Sequence, residues 1–187
     1  MSRIEKLVDH YYRFISLPWQ KDLAGAQRAI FVVYDKNDER RLRAHKELFE
    51  QATKEARHGW KECDLTDAFA QWMSSIDYRE SYFEFPDDLS LKLDDEFLDY
   101  LAEKILKVIQ SPDVDDQTVV GILGIAALFG FARVSELMSR IDKKISGRVV
   151  VFFPGIFDNN NYRLLDARDG WNYLAVPITT HDAMFTS

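Results

Sequence analysis

Two aspartates at the ends of expected strands are the first residues in this sequence that could do chemistry. The apolar run Ala29 to Tyr34 is followed by Asp35, and Asp64 comes near the end of the segment Trp60 to Leu65, which reads as a second strand. If both runs are strands of one sheet, these carboxylates stand at strand tips, where they could converge on a metal ion for phosphotransfer. Each is also a natural cap for the helix that follows, which is the simpler role. Gly121, Gly124 and Gly130, ahead of Arg133, form the one glycine-rich turn. It lacks the lysine and Ser/Thr of a phosphate loop and the glycine spacing of a dinucleotide fingerprint. Close strand–helix packing accounts for these glycines, while Arg133 at the next helix start could meet an anion. The histidines His10, His45, His58 and His181 form no recognised ligand arrangement, and a lone cysteine, Cys63, excludes a thiolate zinc cluster. Cys63 sits in an expected core strand with no base beside it, and no Gly-x-Ser-x-Gly elbow occurs. The residues therefore predict no metal site, no cofactor and no enzyme. The alternative is a degenerate nucleotide-binding or metal-dependent phosphotransfer domain using Asp35, Asp64 and the turn near Arg133.

A second candidate lies between Arg148 and Ile178. Val149 to Phe153 reads as a strand buried on both faces and stopped by Pro154-Gly155. A polar, aromatic-rich loop of about twenty residues follows, before a last apolar run from Leu174 to Ile178. Tyr162, Arg163, Arg168, Asp169, Trp171 and Asn172 are its candidate partner-binding residues, because Arg, Trp and Tyr are the types enriched at interface hot spots. The same residues also suit a braced connection of asparagine turns, Arg–Asp pairs and a buried tryptophan. A base-stacking site is a third reading.

The elements that must position these groups follow a clear grammar. Ser2 and Glu5 have capping-box spacing, and Ile4, Leu7, Tyr11 and Ile15 share a helical face, giving a helix over 2–16 ended by Pro18. Trp19 in the following linker is placed to pin that helix to the body. A strand over 29–34, a helix over about 39–57 with His45 on its buried side, and a strand over 60–65 make a strand–helix–strand unit. A helix centred on Phe69 and Trp72, an irregular excursion over 77–93, and a helix from Phe97 to Ile109 come next. A third strand over 118–128, a helix over 133–145, and the strands at 149–153 and 174–178 complete the order. This predicts an α/β fold: a mostly parallel sheet of about five strands with helices on both faces, Rossmann-like or P-loop-like without the phosphate-loop motif. The last strand follows a connection with little helical signal, which points to an antiparallel or edge position.

The 187 residues suit one domain, 1–187, with the segment 1–20 packed on it and a loose tail over 179–187. A net charge of −7 gives no general attraction to phosphate backbones, so direct DNA binding is not expected. One cysteine suits the cytoplasm, and no stretch reads as a signal peptide or membrane span.

Four segments carry a resemblance: Tyr12 to Gln20, Val32 to Arg43, Leu128 to Leu137, and Phe152 to Ile178 with its Asn-Asn-Tyr-Arg-Leu-Leu-Asp-Ala-Arg-Asp-Gly-Trp-Asn-Tyr core. Together they resemble the BrxB family of bacterial BREX phage-defence systems. The resemblance implies a non-catalytic adaptor or assembly component. Its first expected partner is the phosphatase-like PglZ, with the ATPase BrxC or the methyltransferase PglX as further possibilities. The family has no established catalytic residues to carry over.

Overall fold

The computed structural model describes residues 1–77, 79–167 and 170–181. In chain order the elements are α1 (Arg3–Ile15), β1 (Ala29–Tyr34), α2 (Glu39–Ala44), α3 (Glu47–Glu55), β2 (Gly59–Asp64), α4 (Ala68–Ser74), α5 (Arg79–Glu84), α6 (Pro86–Lys92), α7 (Leu98–Ile109), β3 (Thr118–Leu123), α8 (Val134–Ile141), β4 (Arg148–Asp158), β5 (Asn161–Leu164), β6 (Trp171–Asn172) and β7 (Val176–Ile178). Five strands pair in parallel in the order β2-β3-β4-β1-β7. The fold is α/β, as its apolar runs and helical periods predict.

Side-chain alternation along the strands divides the core in two. Ile30, Val32, Tyr34, Val150 and Phe152 pack towards α1 and α3. Ala29, Phe31, Val33, Val149, Val151 and Phe153 pack towards α4, α7 and α8. Ser2 caps α1 with the reciprocal capping box: its hydroxyl accepts from the Glu5 amide at 3.2 Å, and its own amide donates to Glu5 Oε2 at 2.6 Å. Trp19 pins α1 as expected. Its indole N–H donates to the Ile15 carbonyl at 3.0 Å, and its ring stacks on His58 with centroids 3.7 Å apart.

Several boundaries differ from the sequence reading for local reasons. The expected helix over 39–57 breaks at His45, which is exposed rather than buried, because its amide and Nδ1 both turn back on the Arg41 carbonyl. Arg57, in the left-handed region at φ 67°, ends that helical run before Gly59. β3 stops at Leu123 because Gly124 adopts φ 84°, and a 3-10 turn over Ile125–Leu128 follows. A β-carbon on Gly124 would lie 2.4 Å from the Thr66 amide nitrogen, so the exits of β2 and β3 can approach only at glycine. Within 77–93, read as irregular, the chain folds as α5 and α6 and then winds through a π turn into α7, leaving Phe83, Phe85 and Leu91 exposed.

The largest difference lies in the connection from β4 to β7. It is a β-ribbon rather than a loop. β4 continues past Pro154-Gly155 to Asp158, leaves the parallel sheet, and pairs antiparallel with β5, which in turn pairs with β6. Asn159 and Asn160, at φ 49° and 61°, make the two-residue turn, the left-handed pair that matches the twist of a hairpin. β7 is parallel to β1 and lies at the edge of the sheet, the edge position being one of the two expected.

Candidate functional site

β1 and β4 are adjacent, yet β1 leads to β2 beyond β4 and β3, while β4 leads to β7 on the other side of β1. Their carboxyl ends therefore form the topological switch point where open α/β sheets hold ligands. A crevice of about 280 Å³ sits there, lined by Tyr34, Asp35, Asp38, Ile156, Phe157 and His181 among others. Its charges are already engaged. Asp38 is buried between Arg3 Nε at 3.1 Å and Arg41 Nη1 at 3.5 Å. Asp35 accepts from the Asn37 amide at 2.8 Å and so caps the turn after β1. The Tyr34 hydroxyl donates to Glu39, and burial, with that carboxylate beside it, raises the pKa of the phenol.

The convergence of Asp35 and Asp64 expected for metal-dependent chemistry does not occur. β3 and β4 stand between the two strand tips, a separation of about 14 Å at the usual interstrand spacing. Asp64 is tied locally instead. It accepts from the Thr66 amide at 2.9 Å and hydroxyl at 2.6 Å, and pairs with Arg43 Nη1 at 3.2 Å. Burial works against its ionised form, but the Thr66 and Arg43 contacts outweigh it and hold the carboxyl below its ordinary pKa. Among the described residues no group of three or more His, Cys, Asp and Glu could hold a metal ion. Cys63 is buried, and burial pushes its thiol up to about 11. Arg133 lies just before α8, exposed and 3.8 Å from Glu136, on a cleft of about 360 Å³ shared with Gly130, Leu164 and Trp171.

The ribbon has two unlike faces, set by the period-2 alternation of its strands. On the inner face Tyr162 is fully buried, with its ring 4.7 Å from Phe31, 4.7 Å from Phe157 and 5.5 Å from Trp171. Its hydroxyl donates to the Ala175 carbonyl at 2.8 Å. Trp171 stands edge-on to Phe31 and Phe153, and the Tyr173 hydroxyl donates to Asp142 at 3.0 Å. This cluster covers the sheet face over β1 and β4 that a crossover helix ordinarily covers. A β-carbon on Gly155 would lie 2.1 Å from the Arg163 carbonyl oxygen, so the glycine lets β5 fold closely back on β4.

The outer face carries Arg163 and Asn172. Register sets Ile156 opposite Arg163, Asp158 opposite Asn161, and Asn161 opposite Asn172. Ile156 is 48% exposed, and Asp158, Asn161 and Asn172 are exposed beside it. The side chains of Arg163 and Asn172 make no hydrogen bond or ion pair with another described residue. The structure thus brings Arg163 and Asn172 together on one surface. It places Tyr162 beneath that surface and Trp171 half-buried as its brace, while Arg168 and Asp169 lie outside the described residues. Ile156, Asp158 and Asn161, which share this surface, are not among the partner-binding candidates of the sequence reading. The signal for them is the alternation Ile156-Phe157-Asp158 running into an Asn-Asn turn.

The family model described as BREX protein BrxB matches residues 62–178, from within β2 to the end of β7, and so includes the whole ribbon. No curated protein and no solved structure matches the chain. Among the described residues no helix is long and apolar enough to cross a membrane.

Proposed function

The chain belongs to the BrxB family of BREX proteins, and on that premise we propose that it is a non-catalytic assembly component that docks a partner protein of the same defence system. PglZ is the first partner in this reading, with BrxC or PglX next. The docking face is the outer side of the ribbon, with Arg163 and Asn172 at its centre and Ile156 as an apolar contact. Arg168 and Asp169 join the proposal from sequence alone. Tyr162 and Trp171 serve it from beneath, by keeping the ribbon rigid. A stiff surface loses less conformational freedom on association than a loop would.

The observation that carries this reading is the two-sidedness of the ribbon. A packed aromatic underside supports an outer face whose Arg163 and Asn172 side chains have no intramolecular work among the described residues. At the carboxyl end of the sheet, by contrast, Asp35 and Asp38 at the switch point and Asp64 at the tip of β2 are held by caps and ion pairs. Co-expression with PglZ, BrxC or PglX, followed by size-exclusion chromatography with light scattering, tests the proposal. A stable complex with PglZ is the expected result. Absence of a complex with any of the three at micromolar concentration overturns it.

A further inference from the structure

The amino end of the sheet holds an arrangement that the docking proposal does not use. β4 begins with Arg148, whose side chain is almost wholly buried, the residue being 6% exposed. Its Nη1 donates to the Gly147 carbonyl at 2.9 Å and its Nη2 to the Gln20 carbonyl at 3.1 Å, while its guanidinium lies 4.7 Å from the centre of the Trp19 ring. Arg28 stands near it and is held the same way. It donates to the carbonyls of Leu23 at 3.3 Å, Ser146 at 2.5 Å and Lys21 at 2.6 Å. Neither arginine has a carboxylate within ion-pair distance among the described residues.

Carbonyls satisfy N–H groups without neutralising a charge, and a buried cation without a counter-charge is costly. Each guanidinium has five N–H donors, so three on Arg148 and two on Arg28 remain without an acceptor among the described residues. The two cations also repel: burial, and then Arg28, make Arg148 less basic than an ordinary arginine. Both line a cavity of about 190 Å³ whose wall includes Lys21, Gln117 and Ser146, with Asp116 its one acid. A groove of about 300 Å³ shares Trp19, Gln20 and Arg148 with this cavity and is walled by Phe14, Leu17, Leu23 and Leu174. His58 stacks on Trp19 beside them, with ring centroids 3.7 Å apart.

We propose that this corner is a binding site for a small organic anion. A phosphoryl or carboxylate group enters the cavity between Arg28, Arg148 and Lys21, and the apolar body lies along the Leu17–Leu174 groove. Convergent cations beside an apolar wall are the features that orient such a ligand. The site lies at the opposite end of β4 from the ribbon, so it stands or falls separately from the docking proposal.

Isothermal titration of the full chain with inorganic phosphate and with phenyl phosphate, at constant ionic strength, tests it. Both probes bind saturably, and phenyl phosphate binds about tenfold more tightly because its ring leaves water. Arg28→Gln weakens both probes about tenfold, as loss of charge-assisted hydrogen bonds requires. Lys21→Gln, an exposed change that leaves the carbonyl staples in place, weakens them about threefold. Leu174→Gln removes only the advantage of the phenyl ring. Arg28→Gln carries the test because removing buried Arg148 endangers the fold. The site is overturned if neither probe binds up to about 10 mM, a range that saturates even a weak site. It is equally overturned if both Arg28→Gln and Lys21→Gln bind phosphate as the unaltered chain does. Equal affinity for the two probes removes the groove from the assignment.

Discussion

At the carboxyl end of the sheet the acids are engaged within the chain by ion pairs and caps; at the amino end two arginines have no ion-pair partner among the described residues. Asp38 lies between Arg3 and Arg41, Asp64 between Thr66 and Arg43, and Asp35 caps its own turn. At the other end, Arg28 and Arg148 meet five backbone carbonyls and no carboxylate among the described residues. The means of bracing differ as well. The ribbon over the carboxyl end is held by aromatic packing around Phe31, which salt does not screen. The amino end is held by two guanidinium groups and Trp19. The comparison teaches that the usual ligand edge of an α/β sheet can be closed by its own ion pairs, while a surface above it and a corner below it stay available.

Substitutions can break or sharpen this contrast. The largest effect is expected from Trp171→Ala, which removes the ring that packs on Phe31, Phe153 and Tyr162. It should cost about 3 kcal/mol in urea unfolding, the low end for a large aromatic because Trp171 is only half-buried. A loss under about 1 kcal/mol would mean that the ribbon is not braced by packing. Gly124→Ala should cost about 2 kcal/mol, because it forces a β-carbon into the left-handed region and against the Thr66 amide. Tyr162→Phe leaves the buried Ala175 carbonyl without its donor and should cost about 1 kcal/mol. Asn160→Ala should cost about as much through its positive φ, whereas Asn160→Gly should be neutral or stabilising. Equal effects of Ala and Gly there would contradict the hairpin turn.

The smallest effect concerns acid stability. The pKa of Asp64 is depressed in the folded state, so its contribution is fully present above its unfolded value. That contribution is lost as pH falls through the lower folded value. Asp64→Asn should therefore lower stability near neutral pH and make the acid limb of the stability profile shallower. An identical slope between neutral pH and about pH 3, with the variant uniformly shifted, would contradict the linkage.

The centre of the parallel sheet was legible because β1, β3 and the first part of β4 are nearly unbroken apolar runs between turn residues. Ala29 to Tyr34 is buried at every position, and the same holds for Thr118 to Leu123. The ribbon was not legible, because Pro154-Gly155 has the form of a stop signal. Pro154 is the last parallel partner of Tyr34, and from Gly155 onward the same strand pairs with β5 instead. A proline is tolerated where one ladder gives way to another. Placing Tyr162 on the outer surface was a one-position matter: neighbours on a strand face opposite ways, so Arg163 points out where Tyr162 points in. Arg148 was hidden for a different reason. A charge ahead of an apolar run reads as a flank, and its burial depends on Trp19 and Gln20, far away in the chain.

The central claim is that the outer face of the ribbon docks a partner while its inner face only braces it. It is tested most directly by measuring PglZ affinity for the unaltered chain and for the double variant Arg163→Glu, Asn172→Ala, alongside the urea stability of each. The account predicts a complex with the unaltered chain, binding weakened about a hundredfold or more in the variant, and unfolding free energies within about 0.5 kcal/mol of each other. Equal affinity of the two proteins for PglZ would contradict it.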